Sequence, residues 1–487
     1  MRDDEIRSRL REQNPWWRAV ASGSDPLAWT QTDPTLRSRS AFDLGYRPDV
    51  LDDVASGTLD DKLVILRGPR RVGKSVLLKD TIVAMCGRDD VDPRQVIYLP
   101  TDGMHARDLN RVATLGRELT RSMDEAPRAW LLDEVTGIVG WTERLKYLRD
   151  NTEFGCDTVV CTGSSWDEHA KIERDLFAGR AGASSTRRSR LLHPMSFRAV
   201  LRATGRDIPL PASVPPWALQ DAETRTAVEL LEYFVDELDL GWQSFLTSGG
   251  FPRAVAEHYR NGTVSEGFLR DLAAWLHRDV DFAAAEDSVA RLLADLQARS
   301  TAPLNRTDMA EGLGYATRQT FDVRLNRLVR AFAALWCHQV DDVGRRVPGA
   351  QSKLYLADPV LGWLGPQLRS GLPEPDFSHM TEACLAVALA RAIDATERDR
   401  WAANDSIGYL RSGNGTEVDF APVPARGPSG PMMTTPIEAK WVTMGWRSDA
   451  RTIEGKFARG VVATRTITNL QHRSWAMPAP VVALLLN

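Results

Sequence analysis

"DKLVILRGPRRVGKSVLLKD", residues 61–80, reads as a buried apolar strand, a tight glycine-bearing loop and an amphipathic helix. The loop fits the pattern GxxxxGK[ST] with Gly68, Gly73, Lys74 and Ser75. Glycines at those two positions let the backbone aim successive N–H groups at phosphate oxygens. The helix starting near Lys74 adds its positive dipole end, and Lys74 reaches the β and γ phosphates. Ser75 offers a hydroxyl to Mg2+. The expected ligand is ATP, held by Gly68, Pro69, Arg70, Arg71, Val72, Gly73, Lys74, Ser75 and Val76.

Such a loop needs a second strand that ends in acid. "RAWLLDEVT" (128–136) supplies it. Asp133 is placed to hold the Mg2+ shell and Glu134 to polarise the attacking water, which hydrolysis requires beyond binding. Further strand-like runs are "QVIYLP" (95–100) and "DTVVCTGSS" (157–165), with helical stretches between. The expected fold class is therefore α/β, a P-loop NTPase parallel sheet with helices on both faces. Ligands gather at the carboxyl ends of such strands, so Ser164, with Ser165 beside it, is placed to sense the γ-phosphate. Asp102 also ends a strand, and capping the next helix explains it equally well.

"NPWWR" (14–18), "GPRRVGKS", "WLLDEV", "GW" (140–141), "TGSS" and "HPMSFRAVL" (193–201) follow in that order. The series resembles the bacterial and archaeal AAA-type ATPases whose C-terminal part is the domain of unknown function numbered 4143. In that family a glycine–arginine pair follows the sensor strand, here Gly179–Arg180 in "LFAGRAG". The resemblance makes Arg180 the candidate arginine finger, in cis or across a subunit interface; Arg187, Arg188 and Arg190 compete for the role. A finger given between subunits needs an oligomer, and one in cis does not.

A chain of 487 residues exceeds one core. Five domains are expected: an N-terminal helical extension (1–60), the ATPase core (61–208), a helical lid segment (209–285), a winged-helix-like domain (286–375) and a small α/β nuclease-like domain (376–487). No apolar run reaches the roughly 18–20 residues a bilayer span needs; "VVALLL" (481–486) is strand-sized. The charged start "MRDDEIRSRL" lacks a signal-peptide core. Five scattered cysteines without CxxC spacing argue for reduced thiols in a cytoplasm and against a disulfide framework or zinc site. No histidine joins a catalytic constellation. With a net charge of −4, any DNA contact must come from a local patch.

"PLPASVPPWALQD" (209–221) reads as a linker or an ordered loop. Residues 227–259 are helical apart from the turn Gly249–Gly250–Phe251–Pro252, read as architecture. Three helices and a hairpin over 286–358 suit a winged helix. Its third helix carries Arg318, Arg324, Arg327 and Arg330, and its wing Arg345 and Arg346, all available to DNA phosphates. Asp322, Asp341 and Asp342 dilute that patch, and protein docking is the alternative.

"SIGYLRSGNGTEVDFAPVP" (406–424) reads as strand, turn and strand, and "TTPIEAKWV" (434–442) as a further strand. Side chains alternate along a strand, so Glu438 and Lys440 share a face. Asp419 joins them if the strands are neighbours. Two carboxylates can share Mg2+, and the lysine can orient a water against a phosphodiester. This spacing is that of the PD-(D/E)xK nuclease core, and the family resemblance agrees, with Glu382 at the position of the helical acid. Tyr409 and Arg411 either flank a substrate phosphate or are structural. The expected function is a Mg2+-dependent ATPase whose nucleotide state controls a DNA-facing C-terminal half. The alternative is a nucleotide-switched binding module with a silent nuclease-like domain.

Overall fold

Alternate residues of the first strand feed opposite cores. In β1 (Lys62–Arg67), Leu63 and Ile65 pack into one apolar cluster and Val64 and Leu66 into another. This is the pattern of a parallel strand covered on both faces. The structure, a computed structural model, describes residues 1–123, 126–165, 176, 188–280, 286–397, 400–413 and 415–487. These divide into two units, Met1–His193 and Pro194–Asn487.

In the first unit β1 joins β2 (Val96–Pro100), β3 (Ala129–Asp133), β4 (Thr158–Gly163) and β5 (Ser189–Leu191) in the order β2-β3-β4-β1-β5, all parallel. Strand β4 therefore lies between the strand that feeds the loop and the strand that ends in acid. Helices Asp3–Gln13, Ala106–Leu119 and Trp141–Asn151 send apolar residues into one core; Pro15–Ala21, Pro34–Ser40 and Lys74–Cys86 send theirs into the other. The segment "NPWWR" covers the sheet edge. Asn14 Oδ1 accepts the Tyr98 N–H at 2.7 Å and its Nδ2 donates to the Tyr98 carbonyl at 2.9 Å. Both indoles, of Trp16 and Trp17, donate to the Val96 carbonyl. Side chains thus take the place of a further strand along β2.

The second unit begins with helices, among them Ala222–Leu231, Val235–Ser248 and Pro252–Asn261. Helices Glu286–Ala298, Arg306–Gly312 and Arg318–Arg330 then lead into an antiparallel hairpin of β6 (Ala334–Gln339) and β7 (Ser352–Leu356). Strand β6 also pairs in parallel with β8 (Gly408–Arg411), which is antiparallel to β9 (Glu417–Val418). The hairpin and the first strands of the C-terminal part form one sheet, β7-β6-β8-β9. Beyond a small hairpin, β10 (Pro424–Gly427) and β11 (Gly430–Met433), a bridge between Phe420 and Ile437 connects to β12 (Ile437–Ala439). That strand runs parallel to β13 (Gly460–Thr464), which runs parallel to β14 (Ser474–Pro478).

The double-glycine turn is required by close approach. Gly249 has φ 66° and ψ −162°, and a Cβ there would lie 2.0 Å from Asp358 Oδ1. A Cβ on Gly250 would lie 2.1 Å from the Met195 carbonyl oxygen. Asp358 in turn accepts the Gly250 N–H at 2.8 Å and caps helix Pro359–Leu368 through the Val360 N–H.

One sequence reading changes. The strand-sized run 481–486 lies in a buried helix, Ala479–Leu486. A short apolar run suits either element, and Pro480 sits in the first turn, where its missing N–H costs nothing. Residues 209–221 form an ordered loop: the Val214 N–H donates to the Leu485 carbonyl and the Thr435 N–H to that of Pro216. Among the described residues, no helix is long and apolar enough to cross a membrane.

Candidate functional site

Each glycine of the phosphate loop has its own physical reason. A Cβ on Gly68 would lie 2.2 Å from the Leu192 carbonyl oxygen, and Gly73 takes φ 103° immediately before helix Lys74–Cys86. Arg71 adopts φ 66° and is exposed; Arg70 and Ser75 are half-buried. Pro69 and Val72 pack inward. Lys74 is 7% exposed, and its Nζ donates to the carbonyls of Gly68 and Pro69, both at 2.9 Å. The ammonium thus lies over the first turn of its own loop. Val76 is the third residue of helix Lys74–Cys86.

The two acids sit where β3 ends. Asp133 Oδ1 accepts from Thr162 Oγ1 at 2.5 Å and Oδ2 from the Tyr98 hydroxyl at 3.1 Å. Neighbouring strands on either side therefore fix its carboxylate. Burial, reinforced by Asp133, raises the Tyr98 phenol well above its usual range. Under the Tyr98 ring, at 3.9 Å from its centroid, is Lys79 Nζ, which also pairs with Asp33 at 3.1 Å. Burial lowers the Lys79 pKa against the pull of Asp33.

Glu134 takes the left-handed conformation, φ 58°. Its N–H donates to Thr162 Oγ1 at 2.8 Å, Ser164 Oγ donates to its Oε1 at 2.5 Å, and Arg70 Nη2 lies 3.7 Å from the same oxygen. The structure thus brings into contact Ser164 and Glu134, both named in the strand-end reading. It also adds Tyr98, Thr162 and Lys79, which that reading misses. Each carries a polar group on a largely apolar strand or helix, a local signal that names no partner.

Arg180 and Arg187 lie outside the described residues. Arg190 forms a bidentate pair with Asp53 at 2.5 and 2.7 Å. Asp102 does not cap the next helix; Asp108 accepts the His105 N–H there instead.

A second cluster lies within the second unit. Asp419 Oδ2 accepts the Ala439 N–H at 3.0 Å, and Glu438 Oε2 accepts the Asp419 N–H at 3.2 Å. Lys440 Nζ stands 3.2 Å from Glu438 Oε1. Glu382, on helix Phe377–Thr396, faces the same group. These four, with their contacts Glu438–Asp419 and Glu438–Lys440, are the residues named by the sequence reading. That reading misses Lys353, on β7, whose Nζ lies 3.1 Å from Glu382 Oε1, 2.7 Å from Glu417 Oε1 and 2.9 Å from Asp419 Oδ1. Tyr355 donates to Glu382 Oε1 at 2.5 Å. The missed signal is the alternation in "KLYL", which puts Lys353 and Tyr355 on one face.

Burial and the nearby Asp419 raise the Glu382 carboxyl to about 7 and the Glu438 carboxyl to about 8. Burial opposes the charge on Lys353, but Asp419, Glu382 and Glu417 outweigh it and raise its pKa well above the usual lysine range. Tyr409 is fully buried and donates to the Gln351 carbonyl, which is a structural role; Arg411 is exposed.

The two clusters differ as hosts for a divalent ion. At the P-loop, Asp133 has its carboxylate oriented by neutral hydroxyls, and Ser75 stands next to Lys74; these donors suit Mg2+. At the C-terminal cluster both oxygens of Asp419 and of Glu438 already accept N–H groups, two of them from ammonium ions. Among the described residues no group of three His, Cys, Asp or Glu is arranged to hold a metal. That donor set does not fit a divalent ion.

The strand order and the loop define the first unit as a P-loop nucleotide-binding fold. Residues 60–201 match the family model described as an AAA domain. No curated protein matches the chain. Among solved structures, the Walker-type ATPase of Pyrococcus abyssi is 14% identical, covering 62% of this chain and 90% of that one at a TM-score of 0.37. The ORC2 protein of Aeropyrum pernix, in ADPNP–ADP complexes, is 15% identical over 68% and 97%, with a TM-score of 0.32. The ORC1 protein of the same organism, in complex with DNA, is 12% identical over 69% and 90%, at 0.28. Likenesses this remote say nothing of what this chain binds.

Proposed function

We propose that the chain is a Mg2+-dependent ATPase whose nucleotide state governs a DNA-facing C-terminal half. One arrangement carries the ATPase reading: Glu134, held by Ser164, beside Asp133 on the strand separated from β1 only by β4. The AAA domain match supports ATP binding and hydrolysis. In this reading the loop from Gly68 to Val76 encloses the phosphates, Lys74 leaves its own carbonyls for the β and γ oxygens, and Glu134 activates water. Ser75 and Asp133 would hold Mg2+, which neutralises developing phosphate charge. Arg180 remains the candidate finger.

The DNA-facing part is supported by the exposed Arg318, Arg327, Arg330, Arg345 and Arg346. Two of these are shared with acids, Arg318 with Asp322 and Arg345 with Asp341. The order helix Phe377–Thr396, β8, β9, β12, helix Arg447–Phe457, β13 supports a nuclease-like reading of the C-terminal part. The second reading keeps the nucleotide switch and makes that part silent toward phosphodiesters. The Lys353 contacts favour it.

The test is ATP turnover with Mg2+ in three proteins. Lys74→Ala should lose nucleotide binding, and Glu134→Gln should bind ATP without hydrolysing it. Wild-type turnover in both variants would overturn the ATPase reading.

A further inference from the structure

Three carboxylates, one from a helix and two from the end of β9, converge on one ammonium. Lys353 of β7 is 0% exposed. Glu382 comes from a helix, Glu417 from β9, and Asp419 from the chain just after β9. An ammonium has three N–H donors, and here three acids stand within 2.7–3.1 Å of it. A lysine enclosed without acids would lose its charge; this one is held charged by its surroundings. Tyr355 donates to Glu382 from the same strand face, so β7 delivers two donors to the acids.

We propose that Lys353 is a resident cation: its ammonium fills the space among Glu382, Glu417 and Asp419 that a divalent ion would need in order to be held by these acids. Asp419 and Glu382 then bind an amine of their own chain, and a divalent ion is admitted only when that amine is removed. The same contact clamps hairpin β6–β7 to the strands that follow it. The inference deepens the second reading above, because it gives that silence a physical cause. It is independent of ATP hydrolysis at the first unit.

The experiment uses the full chain without nucleotide, with Mn2+ as the probe, read by electron paramagnetic resonance and by thermal melting. The wild type should show no Mn2+ binding that Asp419→Asn removes. Lys353→Met should melt at lower temperature, and millimolar Mn2+ should restore most of the loss through binding to the folded state. The double variant Lys353→Met/Asp419→Asn should show no such recovery. Submillimolar, Asp419-dependent Mn2+ binding by the wild type would overturn the inference, and so would a Lys353→Met protein indifferent to Mn2+. If Lys353→Met does not fold, the wild-type titration decides alone. A DNA-cleavage assay alongside separates the two claims. Asp419-dependent binding without cleavage sinks the resident cation only, whereas Asp419-dependent cleavage sinks the silent reading as well.

Discussion

Ser164 Oγ donates to Glu134 Oε1 at 2.5 Å, so the residue just past β4 orients the carboxylate just past β3. Removing that hydroxyl should leave phosphate binding intact and disturb chemistry. Ser164→Ala is expected to lower kcat roughly tenfold, the scale of one hydrogen bond to a charged group. Glu134→Gln should lower it by about 10²–10⁴-fold. Nucleotide titration should give wild-type affinity for both. A Ser164→Ala protein with lost affinity and unchanged kcat would contradict this assignment.

Gly249 has no room for a side chain. Its φ of 66° with ψ of −162° belongs to glycine, and a Cβ would meet Asp358 Oδ1 at 2.0 Å. Gly249→Ala should therefore destabilise the protein by about 2–4 kcal/mol in urea unfolding. A neutral outcome would mean that the turn can relax away from Asp358.

Asn14 is 1% exposed and satisfies both backbone groups of Tyr98. Asn14→Ala leaves a donor and an acceptor unpaired at the edge of β2, at a cost of about 2–4 kcal/mol. Hydrogen exchange should show faster opening of the Tyr98 amide. Asn14→Asp should be intermediate, because it keeps the acceptor and loses the donor.

His338 on β6 sets a pH dependence. Burial, with Arg346 and Arg306 adding, lowers its pKa to about 4, and its Nδ1 is 2.8 Å from Ser352 Oγ. The unfolded imidazole titrates near 6.5. The folded state thus takes up this proton later than the unfolded state. The contribution is complete above about pH 6.5 and is lost as pH falls toward 4. Chemical unfolding of wild type and His338→Gln across that range should show a shallower fall for the variant. Parallel curves would rule out His338 as a source.

The first unit was legible because its signals are local. A glycine loop between an apolar strand and a helix, and a strand ending in Asp133–Glu134, can each be read within about ten residues. The supports were less legible, because Tyr98 and Thr162 acquire meaning only once β2, β3 and β4 are in register. Lys353 is the sharper case. It lies 66 positions from Asp419 and 29 from Glu382 in the chain, and no local pattern links β7 to those acids. The run 481–486 was misread for a related reason: burial on every side erases the periodicity that separates helix from strand.

The sheet shared by β6, β7, β8 and β9 has a consequence for dissecting the molecule. A chain stopped at residue 375 would keep the hairpin but lose β8, baring hydrogen-bonding groups along β6 to any passing strand. A chain begun at 376 would keep Glu382, Glu417 and Asp419 crowded together without the Lys353 ammonium that contacts all three. Neither fragment should behave as a well-folded piece, so the seam between the arginine-bearing helices and the acid cluster is not a place to cut.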